Sequence, residues 1–121
     1  MRAVLIGMAI LAATSAYGFE AYQLRDDEID LVKAAFSAAL KDPDSAKFGK
    51  FSAAMKDDQT IIVCGTVNSK NSFGGYSGAA PFVGEINTDS HSFEVQKLAQ
   101  TDAEMAQVLV RCQNAGAMPA L

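Results

Sequence analysis

The chain of 121 residues carries 14 acidic against 10 basic side chains, a net charge of −4, with half of its residues hydrophobic and no tryptophan. That length fits one domain with a modest core. The acidic balance argues against a nucleic-acid backbone or an anionic membrane surface as partner, and leaves either a cationic partner or plain solubility as its meaning.

Met1-Arg2 gives a short cationic start, Ala3 to Ala13 is an apolar run, and Thr14 to Gly18 turns small and polar. This is the order of a secretory signal peptide over residues 1–18, with Ala16 and Gly18 at the small-residue positions before the cut. An uncleaved anchor is disfavoured, because such a run rises only about 16 Å as a helix against a hydrocarbon core of roughly 30 Å. No cysteine follows the cut, so lipid attachment there is not expected. Residues 19–121 then form a single domain, with no membrane span once the leader is removed.

From Asp26 to Lys41, Ile29, Val32, Phe36, Ala39 and Leu40 recur at helical spacing. Asp26, Asp27, Glu28 and Asp30 crowd the amino end, where the helix dipole favours negative charge. Pro43 stops this helix, and Asp42-Pro-Asp-Ser-Ala reads as a turn. Phe51, Ala53 and Met55 alternate with polar or small residues, the period of a half-buried strand. After the turn Asp57-Asp58-Gln59, Thr60 to Val67 is a β-branched run with apolar residues at successive positions, as in a central strand covered on two sides.

Pro81 to Asn87 and His91 to Val95 read as two further strands joined by Asn87-Thr88-Asp89-Ser90. Thr101-Asp102-Ala103-Glu104 is a capping box. Behind it Met105, Val108, Leu109 and Cys112 form one helical stripe that faces inward. Asn114 and Gly116 end this second helix, and Ala117 to Leu121 reads as a loose tail. The expected fold is α+β: a helix, a three- to four-stranded antiparallel meander and a C-terminal helix.

Cys64 lies on the central strand and Cys112 on the inward stripe of the last helix. Export to an oxidising compartment makes a bond between them the default reading. It would stabilise a small domain by roughly 4 kcal/mol in the chain-entropy picture. The alternatives are a Cys64 nucleophile served by His91, or a metal site. A reactive thiolate needs exposure and an activating base, and a structural zinc site needs more nitrogen and sulfur ligands than one histidine and two cysteines supply. His91, at a turn edge, reads as a solvated residue. No metal and no cofactor are expected.

Gly75-Tyr-Ser-Gly-Ala has some likeness to the nucleophile turn of serine hydrolases, but a strand rather than a helix follows it. Asp42-Pro-Asp-Ser begins like a calcium loop, yet Lys47 and Ala53 stand where that loop needs glycine and glutamate. Asn68 to Gly78 is the richer segment. Phe73 and Tyr76 suit stacking on a sugar or clamping a peptide, Asn68, Asn71 and Ser72 suit hydrogen bonding, and Lys70 suits a carboxylate or phosphate. The competing reading is structural, with asparagines and glycines shaping turns and the aromatics closing one end of the core.

Leu40-Lys-Asp-Pro-Asp-Ser-Ala-Lys-Phe48, then Val63-Cys-Gly-Thr-Val-Asn-Ser-Lys-Asn-Ser-Phe-Gly-Gly-Tyr-Ser-Gly78 and Pro81-Phe82, resemble a group of short exported bacterial proteins, some of them carried by prophages. The resemblance spans Leu40 to about Phe82. It implies a compact secreted domain and brings no established activity. Comparison with periplasmic lysozyme inhibitors is also natural, since they are small, exported and disulfide-stapled, but their inhibitory loops do not map onto these residues.

The expected role is therefore a noncatalytic periplasmic or secreted binding module that meets an envelope protein or glycan through Asn68 to Gly78. An inhibitor of a cationic envelope hydrolase such as lysozyme is one alternative. A small envelope hydrolase using Ser77 or Cys64 with His91 is the other.

Overall fold

The computed structural model describes residues 19–40, 42–70 and 78–118; residues 1–18, expected from the sequence to be a signal peptide, lie outside them. In chain order the elements are β1 (Glu20–Tyr22), α1 (Asp26–Ala35), β2 (Lys47–Phe48), β3 (Ser52–Asp57), β4 (Thr60–Asn68), β5 (Ala80–Asn87), β6 (Ser92–Leu98) and α2 (Asp102–Ala115). One antiparallel sheet runs in the order β1-β3-β4-β5-β6. Short β2 adds to the far end of β4, Phe48 opposite Val67, while β3 pairs along the rest from Ser52–Cys64 to Asp57–Thr60. β2 and β3 thus share one side of β4 and are separated by Gly49, Lys50 and Phe51.

The two helices cover opposite faces of this sheet, which explains the unbroken apolar run of β4. Ile61, Val63 and Val67 point to the side of Val32 and Phe36 on α1. Ile62 and Cys64 point to Val108 and Cys112 on α2. Strand alternation gives each face its own set of side chains, and all of these residues are buried.

The α1 face is aromatic. Phe36, Phe48, Phe51 and Phe82 form a closed circuit of edge-to-face contacts, with ring centroids 5.6, 5.7, 5.8 and 4.7 Å apart around the cycle. Such geometry aligns ring edges with ring faces, and full burial of one phenylalanine contributes about 1.5–3 kcal/mol. Gly65 is required by this circuit. A Cβ there would stand 2.7 Å from Phe51 Cδ1 and 3.0 Å from the Phe82 ring.

The α2 face uses small residues and a covalent bond. Ala54, Ala99, Ala115 and Ala117 line it together with Ile62, Val83 and Val108, and the Cys64–Cys112 disulfide joins β4 to the last turn of α2, with Cα atoms 6.1 Å apart. At that same turn the Ala117 amide donates to the Cys112 carbonyl and the Gly116 amide to that of Gln113. Gly116 takes the left-handed backbone, φ 76°, that this C-terminal motif needs. The helix start follows the sequence: the Glu104 amide donates to Thr101 Oγ1 at 3.1 Å, while the glutamate carboxylate accepts from the Gln100 amide at 3.3 Å.

Several expectations need adjustment. The sheet has two short strands, β1 and β2, beyond the expected meander, and the last strand starts at Ser92 and runs on to Leu98. Helix α1 ends at Ala35. The chain then tightens, with the Ser37 hydroxyl and amide donating to the Ala34 carbonyl and the Ala39 amide to that of Phe36. Ala54 is fully buried rather than outward-facing, because it belongs to the α2-side cluster together with Ala115 and Ala117 at the end of the chain. Met105 is exposed despite falling on the stripe. Ala117 is buried and the Met118 carbonyl accepts from Ser52 Oγ at 2.9 Å, so this part of the tail is tied down.

Candidate functional site

The two motif segments meet at one end of the sheet. After Leu40 the chain enters a 3-10 turn at Pro43–Ser45, and β2 then runs beside the last residues of β4, Lys47 opposite Asn68. Ser45 is the joint. Its Oγ donates to the Asp42 carbonyl at 2.8 Å and accepts the Lys70 amide at 2.9 Å. Two residues back along β4, the Gly49 amide donates to the Thr66 carbonyl at 3.0 Å. A Cβ on Gly49 would collide with the Thr66 hydroxyl, so the close approach there requires glycine.

Asn68 closes the segment from the other side. Its Oδ1 accepts the Gly78 amide at 3.1 Å, bridging the point where the chain leaves β4 and the point where it returns. Gly78 has φ 96° and open space where a side chain would be. Of the residues singled out from sequence, Asn68 and Lys70 therefore stand at the base of the segment, Lys70 through its backbone. Asn71, Ser72, Phe73 and Tyr76, and with them the candidate nucleophile Ser77, lie outside the described residues.

The catalytic constellations fare differently. Cys64 is in the disulfide and fully buried, so it has no thiol to ionise. His91 occupies the β5–β6 turn with φ 51°, mostly exposed, its Nε2 4.0 Å from Asp27 Oδ2. It stands just past Asn87, whereas Gly78 precedes Ala80, so His91 and the Gly78 end of the segment sit at opposite ends of β5, a span of roughly 24 Å at the usual rise per residue. Among the described residues no group of three or more His, Cys, Asp or Glu side chains is placed to hold a metal ion.

Among the described residues Glu28 is the buried acidic side chain, with 2% of its surface exposed. Its Oε1 accepts the Tyr22 hydroxyl at 2.8 Å and the Arg25 amide at 2.9 Å, with the Arg25 guanidinium 3.6 Å away. It caps the start of α1 and anchors β1 to it. Hydrogen bonding to this carboxylate, then burial, holds the Tyr22 phenol above the ordinary tyrosine range. The sequence placed Glu28 among dipole-compensating acids. Its position three residues after Arg25, at a helix start, is the signal that marks a cap.

An open groove of about 590 Å³ lies between the end of β1, with the Gln23–Leu24 link to α1, and the Gly49–Phe51 connection. Its apolar walls include Tyr22, Leu24, Ile29, Phe48 and Phe51, and Lys33 and Lys50 supply its charge. Strand periodicity gave no sign of it, because it forms between segments distant in the chain.

The class so defined is a disulfide-stapled α+β domain with helices on both faces of an antiparallel sheet, and with one long strand connection bracketed by side-chain hydrogen bonds. Comparison with family models, with curated proteins and with solved structures returns no match. Among the described residues no helix is long and apolar enough to cross a membrane, and the disulfide fits an oxidising compartment.

Proposed function

We propose that the protein is a noncatalytic binding module of the periplasm or the extracellular space, which meets an envelope protein or glycan through Asn68 to Gly78. The observation that supports this reading most is the bracket at the base of that segment: Asn68 Oδ1 on the Gly78 amide and Ser45 Oγ on the Lys70 amide. Binding residues concentrate on connections held by a rigid scaffold, and here the bracket stands on a sheet fastened by a disulfide. The composition between the two anchors, rich in Asn, Ser, Gly and aromatics, is that of adaptable recognition loops. The signal-like leader and the disulfide both favour export.

Tyr76→Ala combined with Lys70→Ala tests it. The double variant should keep the near-ultraviolet circular dichroism and melting temperature of the native protein, yet retain none of the envelope component that the native protein captures from an extract. Unfolding of the double variant would assign the segment a structural role. Undiminished capture would place recognition elsewhere.

A further inference from the structure

A second binding site, separate from the segment above, is carried by the groove beside β1. We infer that it takes a small organic anion with an aromatic or medium-chain aliphatic body, its charge held by Lys33 and Lys50.

The groove is a consequence of how the sheet edge is built. β1 pairs only with Ala53, Ala54 and Met55 of β3, then Gln23 and Leu24 turn away into α1. On the facing side β2 ends at Phe48 and β3 begins at Ser52. The contact between Gly49 and Thr66 pins that break in place. Between these segments lies an open cleft of about 590 Å³, its lining polar and apolar in about equal measure, within the size range of small-molecule sites. Recognition of a folded protein would ask for roughly 800 Å² of surface from each partner, far more than such a cleft offers.

The walls are fixed in advance. Phe48 and Phe51 are held by the aromatic circuit, and Tyr22 by its hydrogen bond to Glu28. A ligand body entering between them therefore meets surfaces that lose little freedom on binding.

The charge selects the sign of the ligand. In a chain with an excess of acidic residues, the groove is lined by two lysines and by no acidic side chain among the described residues. Lys56 and Lys97 elsewhere on the sheet are paired with Glu85 and Glu104. Lys33 and Lys50 make no ion pair among the described residues, and Lys33 Nζ instead stands 5.8 Å from the centre of the Phe48 ring. Two unpaired ammonium groups come from different elements, one on α1 and one on the β2–β3 connection. Lining the same groove as Phe48 and Phe51, they complement a carboxylate or sulfonate whose body lies against the rings.

The test uses the disulfide-bonded protein and 8-anilinonaphthalene-1-sulfonate as an amphipathic anionic probe, followed by fluorescence and competed with decanoate, decanol and an acidic, leucine-rich peptide. The native protein should bind the probe, decanoate should displace it, and decanol should do so at least tenfold less well. Lys33→Glu with Lys50→Glu should weaken binding at least tenfold at unchanged melting temperature. Val110→Lys, at an exposed apolar position on α2 away from this groove, should leave it unaltered. Because both lysines are exposed, loss of fold in the double variant is not expected, and the single variants Lys33→Ala and Lys50→Ala provide a milder series that should each weaken binding. Absence of probe binding, equal displacement by decanol, insensitivity to the lysine changes, or loss of binding in Val110→Lys would each overturn the inference. Displacement by the peptide but not by decanoate would overturn it in favour of a peptide site.

Discussion

The two ends of the sheet use the same polar residue types for opposite purposes. At the hairpin end, Asp57 Oδ1 accepts the Gln59 amide within one tight turn, and Asn87 Oδ1 accepts the amides of Asp89 and Ser90 within the next. Each side chain satisfies backbone groups two or three residues away, and the strands reverse at once. At the other end Asn68 reaches ten residues along to Gly78 and Ser45 reaches twenty-five along to Lys70. There the polar groups tie together the two ends of a connection that a two-residue turn could have replaced. The difference separates turns that serve the fold from a connection that the fold supports.

The largest perturbation should touch both ends alike. Cys64→Ala with Cys112→Ala removes the link from β4 to α2 and should cost roughly 4 kcal/mol of stability by chemical denaturation, less where the denatured chain keeps structure. If the two ends share one cooperative core, amide exchange should rise in both turns and at the Lys70 and Gly78 amides together. Acceleration confined to one end would break that picture.

Gly65→Ala comes next and is local to the aromatic side. Its methyl must push Phe51 and Phe82 apart, and overpacking of this kind costs about 1–3 kcal/mol. A variant as stable as the native protein would show that the circuit of rings is loose.

Ser45→Ala separates the ends directly. It strips the Lys70 amide of its acceptor and the Asp42 carbonyl of a donor, a loss of about 1 kcal/mol. Exchange at Lys70 should quicken while Gln59 and Asp89 stay unchanged.

The smallest effect belongs to the hairpin end. The Asp57 carboxyl lies below the ordinary aspartate range, chiefly because the Gln59 amide donates to its charged form. A depressed folded value means that the stabilisation is present above the unfolded pKa, about 3.9, and is lost as pH falls through the lower folded value. Asp57→Asn should therefore melt below the native protein at pH 6, with the gap narrowing as the pH falls below about 4. A gap that does not change with pH would contradict this assignment.

Much of this architecture is legible in single segments. The continuous apolar run of β4 announces a strand covered on both faces, and its cysteine, read against the stripe Val108-Leu109-Cys112, gives the disulfide. Thr101 to Glu104 marks the start of α2. What escapes the sequence is what depends on distant partners. β1 and β2 have only three and two residues, too few for a period to show, and they exist because β3 and β4 offer them edges. The alternation along β3 assigns Ala53 to the buried face and Ala54 to the open one, and only its packing with Ala115 and Ala117, distant in the chain, makes the second a core residue. The alanine-rich stretch after Phe36 reads as more helix, whereas the chain turns once that ring has joined its circuit.

The site divides in the same way. Its composition stands out in the chain, and the asparagine and serine at its base are visible as residues. Their roles as brackets depend on bonds across ten and twenty-five positions, which no local pattern reveals. The groove with Lys33 and Lys50 is less legible still, since its lining comes from four separate stretches of the chain.

Replacing residues 69–78 by two glycines tests most directly whether the fold supports this connection or depends on it. It leaves a four-residue link between Val67 and Ala80, which are paired across β4 and β5, and hairpin links of that length are common. The account predicts a protein that folds cooperatively, forms the Cys64–Cys112 bond, melts within a few degrees of the native chain and captures nothing from an envelope extract. A chain that fails to fold, or one that folds and still captures the same component, would contradict it.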